Sequence, residues 1–264
     1  MATTQHNQPM DVDTSVSWTP LAHGVEVNDN GWTDQAQRVL TDDLLELIAE
    51  AHRALEPRRQ ELLAARRERQ AEYDDGAVPD YLPPDELPEA RGDWNVAPLP
   101  DDLLERRVEI TGPVNNAKMV INMLSRNDDG SRADAAMLDF EDSMKPTWDN
   151  VLTGVENVSE AAAGTLQFVK RASNGTPEKK YTLDPNDMPL LMVRIRGLHL
   201  DESNLRVDGT PVSGAILDLA AVAYHSAKTL MEQGKTPKYY VPKVEHYTEA
   251  AWYDELFRIV QRAL

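Results

Sequence analysis

Cysteine is missing from all 264 residues of the chain, which excludes disulfide bonds, thiolate metal sites and a cysteine nucleophile. Long apolar runs are missing as well, since no stretch approaches the roughly 20 apolar residues that would span a bilayer. The start, MATTQHNQPMDVDTS, lacks the basic and apolar regions of a secretory signal. Together these absences predict a cytoplasmic protein that does not enter a membrane.

Positive charge is scarce. The chain has 27 lysines and arginines against 45 aspartates and glutamates, which gives a formal net charge of −18 at pH 7. Nucleic acids and anionic membranes would be repelled by such a surface, so neither is expected as a partner. An anionic substrate would need a local basic pocket. The 41% content of hydrophobic residues is ordinary for a globular fold.

The first part of the chain shows three different patterns in turn. Residues 1–33 look like a loose polar arm. From Thr41 onward, apolar residues recur at helical spacing, and Pro57 is expected to kink this helix or to begin a second one. The stretch that follows is rich in proline, aspartate and glycine, which predicts an irregular connector. These patterns predict an N-terminal arm and helical clasp domain over residues 1–100 and a second domain over residues 101–264.

Beyond residue 100, short apolar runs alternate with stretches of helical spacing. Short strands buried on both faces are typical of a parallel sheet between helices. The fold predicted is therefore α/β, with the helical clasp followed by the first half of a TIM (β/α)8 barrel. The predicted strands are KMVINMLS (118–125), AAMLDFED (135–142), PLLMVRIRG (189–197) and KYYVPKVEH (238–246). The predicted helices are the stretches 147–172, 213–234 and 248–264, the second of them ending at Gly234.

Polar residues stand at the carboxyl ends of three predicted strands. Active sites of parallel barrels lie at this edge, although such residues can also pair as salt bridges that only support the barrel mouth. Arginine stays protonated and suits carboxylates and developing oxyanions, so a site of this kind would bind a small anion or an enolate-type oxygen. Neighbouring carboxylates could orient the arginine or help hold a divalent metal. The residues are Asp139, Glu141 and Asp142, then Arg194 and Arg196, then Lys243, Glu245 and His246.

Several segments taken together resemble the malate synthase family, in particular its shorter A-type branch. The resemblance covers the chain from about residue 40 to the end, in the same order, and its N-terminal part is similar to the family's helical clasp. The segments after the clasp are RRVEITGPV (106–114), KMVINML (118–124), LDFEDSMKPTWDNV (138–151), VRIRGLHL (193–200) and YVPKVEHYTEAAWYDELF (240–257).

The resemblance implies a transferase of the glyoxylate bypass and tricarboxylic acid metabolism. Acetyl-CoA and glyoxylate would condense to malyl-CoA, which water would cleave to malate and CoA, with Mg²⁺ under the glyoxylate oxygens. The first arginine of the family's VRxRG motif, here Arg194, would stabilise the enolate. The resemblance implies substrate binding or pocket support for five further residues, with a structural role favoured for the first of them. They are Arg196, Asp139, Glu141, Asp142 and Lys243.

Two motifs of the family do not occur in this sequence. The magnesium ligands of the family lie near segments similar to LIET and GLNCGRWDY, and its catalytic base lies in a C-terminal helical domain; no equivalent is present here. The metal ligands are therefore expected beyond Leu264, and none is assigned in this chain. We expect the chain to be the N-terminal portion of a longer enzyme, inactive alone and prone to self-association through unpaired barrel edges.

Two alternatives stay open at this point. One is a lyase that cleaves citramalyl-CoA or a related 3-hydroxyacyl-CoA, because such barrels share the LDxED, VR and PKxE elements but generally lack the clasp. The other is a non-catalytic half-barrel that pairs with itself or with a partner polypeptide supplying the remaining strands. Sedimentation analysis would separate this alternative from simple truncation.

Overall fold

A computed structural model describes residues 17–83 and 85–264. In this part of the chain, ten strands and six α-helices form three sheets with helices packed against them. The strands are β1 Trp18–Pro20, β2 Val25–Asn28, β3 Glu109–Pro113, β4 Ala135–Asp139, β5 Gln167–Arg171, β6 Pro177–Thr182, β7 Leu190–Arg194, β8 Asp201–Val207, β9 Thr210–Ser213 and β10 Tyr239–Tyr240. The helices are α1 Asp34–Val39, α2 Asp42–Asp74, α3 Ala117–Leu124, α4 Trp148–Ala162, α5 Gly214–Glu232 and α6 Tyr247–Ala263.

A four-stranded parallel sheet forms the centre of the fold, in the order β10-β7-β4-β3. On one face, side chains such as Leu138 and Val193 are buried in the main core together with the helices. On the other face, Met137 lies opposite Met192 in a small separate cluster. Parallel strands linked by helices, preceded by a long helix, confirm the predicted α/β class with part of a barrel.

The first predicted strand, KMVINMLS, is wrong: it forms helix α3, and the strand before it is β3. Asn116 caps this helix by accepting a hydrogen bond from the Met119 backbone N–H at 3.1 Å. Val120, Ile121 and Leu124 are buried at helical spacing. A short apolar run does not by itself distinguish a strand from a buried helix. The real edge strand, β3, was overlooked because most of its residues are exposed and it is not a continuous apolar run.

Two further elements differ from the sequence-based expectation. The predicted helix over 147–172 ends at Ala162, and the β5–β6 hairpin follows it. Part of the predicted loose arm is also regular, because β1 and β2 join β8 and β9 in an antiparallel sheet. Val25 and Val27 of β2 are fully buried in the core, so burial of alternate residues explains why this segment forms a strand. Residues 1–16 of the predicted arm lie outside the described part.

Helix α2 runs without a break through Pro57, so the expected second helix is wrong. The Thr41 hydroxyl accepts a hydrogen bond from the Leu44 backbone N–H at 3.4 Å. Leu55 and Leu62, on either side of the proline, are both buried. This packing offsets the hydrogen bond that proline cannot make. Although α2 is long, no helix in the described ranges is both long and apolar enough to cross a membrane.

Candidate active site

Arg194 and Asp139 form a paired unit at the carboxyl ends of β7 and β4. The two residues are register partners in the parallel sheet, so their side chains leave the same face. Arg194 Nε lies 2.8 Å from Asp139 Oδ1 and Arg194 Nη2 lies 2.5 Å from Asp139 Oδ2, which makes the contact bidentate. Such a planar fork fixes the guanidinium in one orientation. The Asp139 side chain is fully buried, whereas that of Arg194 is 15% exposed.

The loop after β4 donates three hydrogen bonds to the carboxylate of Asp139. Its oxygens accept hydrogen bonds from the backbone N–H groups of Glu141 and Ser143, each at 2.9 Å, and from the Ser143 hydroxyl at 2.6 Å. Burial on its own would raise the pKa of the Asp139 carboxyl, but the hydrogen bonds from Arg194 and Ser143 outweigh burial and hold this pKa below its usual value. Asp139 is therefore an anion that anchors Arg194.

Asp142 and Lys243 extend the charged cluster toward solvent. Arg194 Nη1 donates to Asp142 Oδ2 at 3.2 Å, and Lys243 Nζ donates to Asp142 Oδ1 at 2.6 Å. Lys243 Nζ also lies 3.0 Å from Glu141 Oε1, an ion-pair distance without hydrogen-bond geometry. The hydrogen bond with Asp142, followed by the interaction with Glu141, raises the pKa of the Lys243 amine. The structure therefore brings five predicted residues into one cluster: Asp139, Glu141, Asp142, Arg194 and Lys243.

Arg196 is not part of this cluster. Its guanidinium is 2% exposed and points into the helical layer, where it binds Asp218 of α5 and Glu202 of β8, each at 2.8 Å. Burial would lower the pKa of this guanidinium, but the two carboxylates outweigh that effect and raise it. Glu245 and His246 also turn away: Glu245 pairs with an arginine of α2, and His246 caps α6. Arg196 thus stabilises the packing of α5 on the sheet.

The clefts around the sheet differ in character. One, of about 660 Å³, is lined by Pro113, the register partner of Asp139, and by Ser143, which donates to Asp139. Its wall carries Lys118 and Lys145, so it provides local positive charge next to Ser143 in an acidic protein. A second, apolar cavity of about 710 Å³ lies between α5 and α6. It is on the helix-covered face of the sheet, away from the charged cluster.

The residues present do not by themselves form a divalent-metal site. Within residues 17–83 and 85–264, no group of three histidine or acidic side chains converges as metal ligands would. Asp139 uses both oxygens on Arg194 and on its own loop, and both oxygens of Asp142 have cationic partners. Glu141 alone keeps two buried oxygens without a hydrogen bond. One carboxylate is too few to hold Mg²⁺.

Sequence reasoning missed two contributors to the site. Ser143 was overlooked although it lies in the loop directly after Asp139, where an aspartate often accepts hydrogen bonds from residues that follow it. Arg66 of α2 was not predicted as a site residue, although its side chain is only 13% exposed. Its partner Glu249 lies 183 positions away in the sequence, so no local pattern could have revealed the contact.

The chain matches two family descriptions at different places. Residues 24–87 match "Malate synthase, N-terminal domain", and residues 190–264 match "Malate synthase, TIM barrel domain". The first includes the whole of α2, and the second begins at β7 and includes Arg194 and Lys243.

Full-length relatives agree with these matches. A malate synthase of Myxococcus xanthus is 42% identical over 254 residues, which cover 96% of this chain and 44% of that protein. A glyoxysomal malate synthase of Candida tropicalis is 41% identical over 231 residues, 86% of this chain and 40% of that protein. Malate synthase A of Escherichia coli is 38% identical over 225 residues, 85% of this chain and 40% of that protein. The chain thus spans about two fifths of these relatives, and it belongs to the malate synthase family.

Proposed function

We propose that this chain supplies the enolate-stabilising part of a malate synthase active site. The reaction joins the methyl carbon of acetyl-CoA to the aldehyde carbon of glyoxylate, and water then cleaves the malyl thioester to malate and CoA. Arg194 is the residue that stabilises the enolate. The observation that supports this role is the bidentate contact with Asp139, which holds Arg194 in one orientation at the carboxyl end of the parallel sheet.

The hydrogen-bond count of Arg194 leaves donors for a substrate. A guanidinium has five N–H groups. Three of them bind Asp139 and Asp142. The other two, one on Nη1 and one on Nη2, have no partner among the described residues, and they are available to a thioester oxygen that becomes anionic. A donor that is already oriented needs no reorganisation during the reaction, and one such donor is typically worth about 10²–10³ in kcat.

Asp139 is assigned a positioning role and not that of the base. Its pKa is held low and its oxygens are occupied by Arg194 and Ser143, so it has little tendency to accept a methyl proton. Asp142, Glu141 and Lys243 support the pocket around the arginine. Arg196 acts through packing alone, since its guanidinium lies in the helical layer with Asp218.

Substrate charge fits the cleft lined by Ser143, the residue that donates to the anchor of Arg194. Glyoxylate and acetyl-CoA are both anions, and a surface with a net charge of −18 repels them at a distance. Lys118 and Lys145 on the cleft wall, together with the free edge of Arg194, offset that repulsion locally. We propose this cleft as the entry side for the substrates.

The family likeness also supports magnesium as the metal of the complete site. The acidic residues of the described ranges do not form a site that would hold it alone. We further propose a cytoplasmic enzyme, with a clasp over residues 1–100 and a barrel portion over residues 101–264, joined where β2 pairs with β8. Strands β3 and β10 are the two edges of the parallel sheet in the described ranges, and we propose them as the route of self-association.

The test of Arg194 uses a chimera in which this chain replaces the matched 40% of Escherichia coli malate synthase A. CoA release is measured with acetyl-CoA, glyoxylate and Mg²⁺. Arg194→Met should lower kcat by about 10²–10³. Arg194→Lys should recover only part of it, because an ammonium lacks the planar fork. Arg67→Met, a change of an exposed arginine on α2, is the matched control. A chimera whose kcat survives Arg194→Met would contradict the assignment.

A further inference from the structure

Helix α2 contacts the segments that follow β7 and β10, two of the three strands whose ends carry the candidate site. Arg59 and Arg66 are two helical turns apart, and therefore lie on one face of α2. Arg59 Nε donates to the backbone carbonyl of Leu198, in the segment after β7. Arg66 Nη2 donates to the backbone carbonyl of Lys243, in the segment after β10, at 2.7 Å. One helix face thus holds the backbone beyond the two strands that meet at Arg194.

The orientation of Arg66 is fixed by acidic partners on the segment that begins α6. Its Nε and Nη2 lie 2.7 and 2.8 Å from the two oxygens of Glu249, whose side chain is 1% exposed. Its Nη1 lies 3.2 Å from Glu245 Oε1. Glu249 also accepts a hydrogen bond from the Glu245 backbone N–H at 2.7 Å. All three guanidinium nitrogens are engaged, so Arg66 cannot rotate without breaking a charged contact.

Lys243 has an unusual backbone at the point that Arg66 contacts. Its φ of +52° lies in the left-handed region, which a residue with a side chain adopts only when its surroundings enforce it. In this conformation Nζ reaches Asp142 at 2.6 Å and Glu141 at 3.0 Å. Asp142 in turn accepts from Arg194 Nη1 at 3.2 Å. The contacts therefore run without a gap from α2 to the arginine of the site.

We infer that Arg66 is a positioning residue of the site: it fixes the Lys243 backbone so that the amine meets Asp142 and Glu141, and through Asp142 it helps to hold Arg194. Its importance for turnover rests on the proposed function, whereas the positioning of Lys243 does not. A purely structural ion pair between α2 and α6 would stabilise the helices without affecting the Lys243 side chain. The two roles therefore differ in what they predict for the Lys243 amine.

The test measures the rate at which a small acylating reagent labels Lys243 in the full 264-residue chain, read by mass spectrometry over a series of pH values. The variants are Arg66→Met and the double variant Arg66→Met with Glu249→Met. The double variant replaces the buried pair by apolar side chains of similar length, which avoids an unpaired buried charge. Released from its carboxylates, Lys243 should be labelled at least about threefold faster at pH 8, and the midpoint of its pH profile should move down toward that of an ordinary lysine.

The reference amine is Lys228, an exposed lysine of α5, and the control variant is Arg67→Met, which should leave both rates unchanged. Arg66→Lys should recover part of the protection of Lys243. The inference is overturned if the double variant melts cooperatively and labels Lys243 at the wild-type rate. It is also overturned if Lys228 gains reactivity in parallel, since that indicates general loosening. Because no turnover is measured, failure here leaves the role of Arg194 to its own test.

Discussion

Replacement of Asp139 by asparagine removes the anchor of Arg194 while keeping the size of the side chain. The carboxylate accepts five hydrogen bonds: Oδ1 takes Arg194 Nε and the Glu141 N–H, and Oδ2 takes Arg194 Nη2 with both donors of Ser143. In asparagine one oxygen becomes an NH₂ group, and either placement points that donor at two or more other donors. The substitution thus removes the bidentate partner of Arg194 and leaves several donors unsatisfied.

The size of the loss follows from the burial of the two partners. Breaking a buried ion pair by removing one partner typically costs about 3–5 kcal/mol. Asp139 is fully buried, but the Arg194 side chain is 15% exposed and keeps its contact with Asp142. We therefore expect the lower end of that range, about 3 kcal/mol of the free energy of unfolding. Urea unfolding followed by tryptophan fluorescence measures it, with Asp254→Asn as the control because Asp254 and Arg258 pair on an exposed face of α6.

The pH dependence gives this prediction a second observable. The pKa of Asp139 is lower in the folded chain than its unfolded value of about 3.9, because hydrogen bonds from Arg194 and Ser143 outweigh burial. Its contribution to stability is therefore complete above about pH 4 and is lost as pH falls through the folded pKa. The difference between wild type and Asp139→Asn should be constant from about pH 7 to 5 and shrink in stronger acid. A difference below about 1 kcal/mol at pH 7, or one that does not shrink, would refute the reasoning.

Two further substitutions test the packing beneath the site. Arg196→Met leaves Asp218 and Glu202 buried without their cation, and should lower the free energy of unfolding by about 3–5 kcal/mol; a urea midpoint equal to that of wild type would contradict the buried cluster. Gly154→Ala places a Cβ 2.7 Å from Phe140 Cε1, and should cost about 1–3 kcal/mol through overpacking between α4 and β4. Thermal melting that is unchanged in this variant would show that the helix moves away freely.

The sequence carried enough information to place the main site residues at one edge of one sheet. The apolar runs ending at Asp139 and Arg194 were recognisable as buried strands, and parallel strands bring their carboxyl ends together. The direct pairing of these two residues was not predictable, because it depends on the register between strands 55 residues apart. For Arg196, two residues further on, the sequence favoured a structural role but did not identify its partner. That partner, Asp218, lies on α5, and the sequence alone does not show which face of this helix contacts the sheet.

The errors in predicted secondary structure have a common physical cause. The run from Lys118 is apolar because α3 is amphipathic and short, and eight residues are too few to separate helical from alternating spacing. Strand β3 was not predicted because it is an edge strand of the sheet and several of its residues, such as Glu109 and Ile110, are exposed. Strand β2 forms through pairing with β8, which is distant in the sequence, and β1 pairs with β2. Tertiary contacts decided each of these elements.

Enolate stabilisation by Arg194 depends on the direction in which its two unshared N–H groups point. A crystal structure of the chimera with acetyl-CoA bound measures this directly, as the distance from Arg194 Nη1 or Nη2 to the thioester carbonyl oxygen. We predict a distance of about 3 Å, with the contacts to Asp139 kept. If both nitrogens lie more than about 4 Å from that oxygen, with no bridging water, Arg194 does not stabilise the enolate and the proposed function of this residue is wrong.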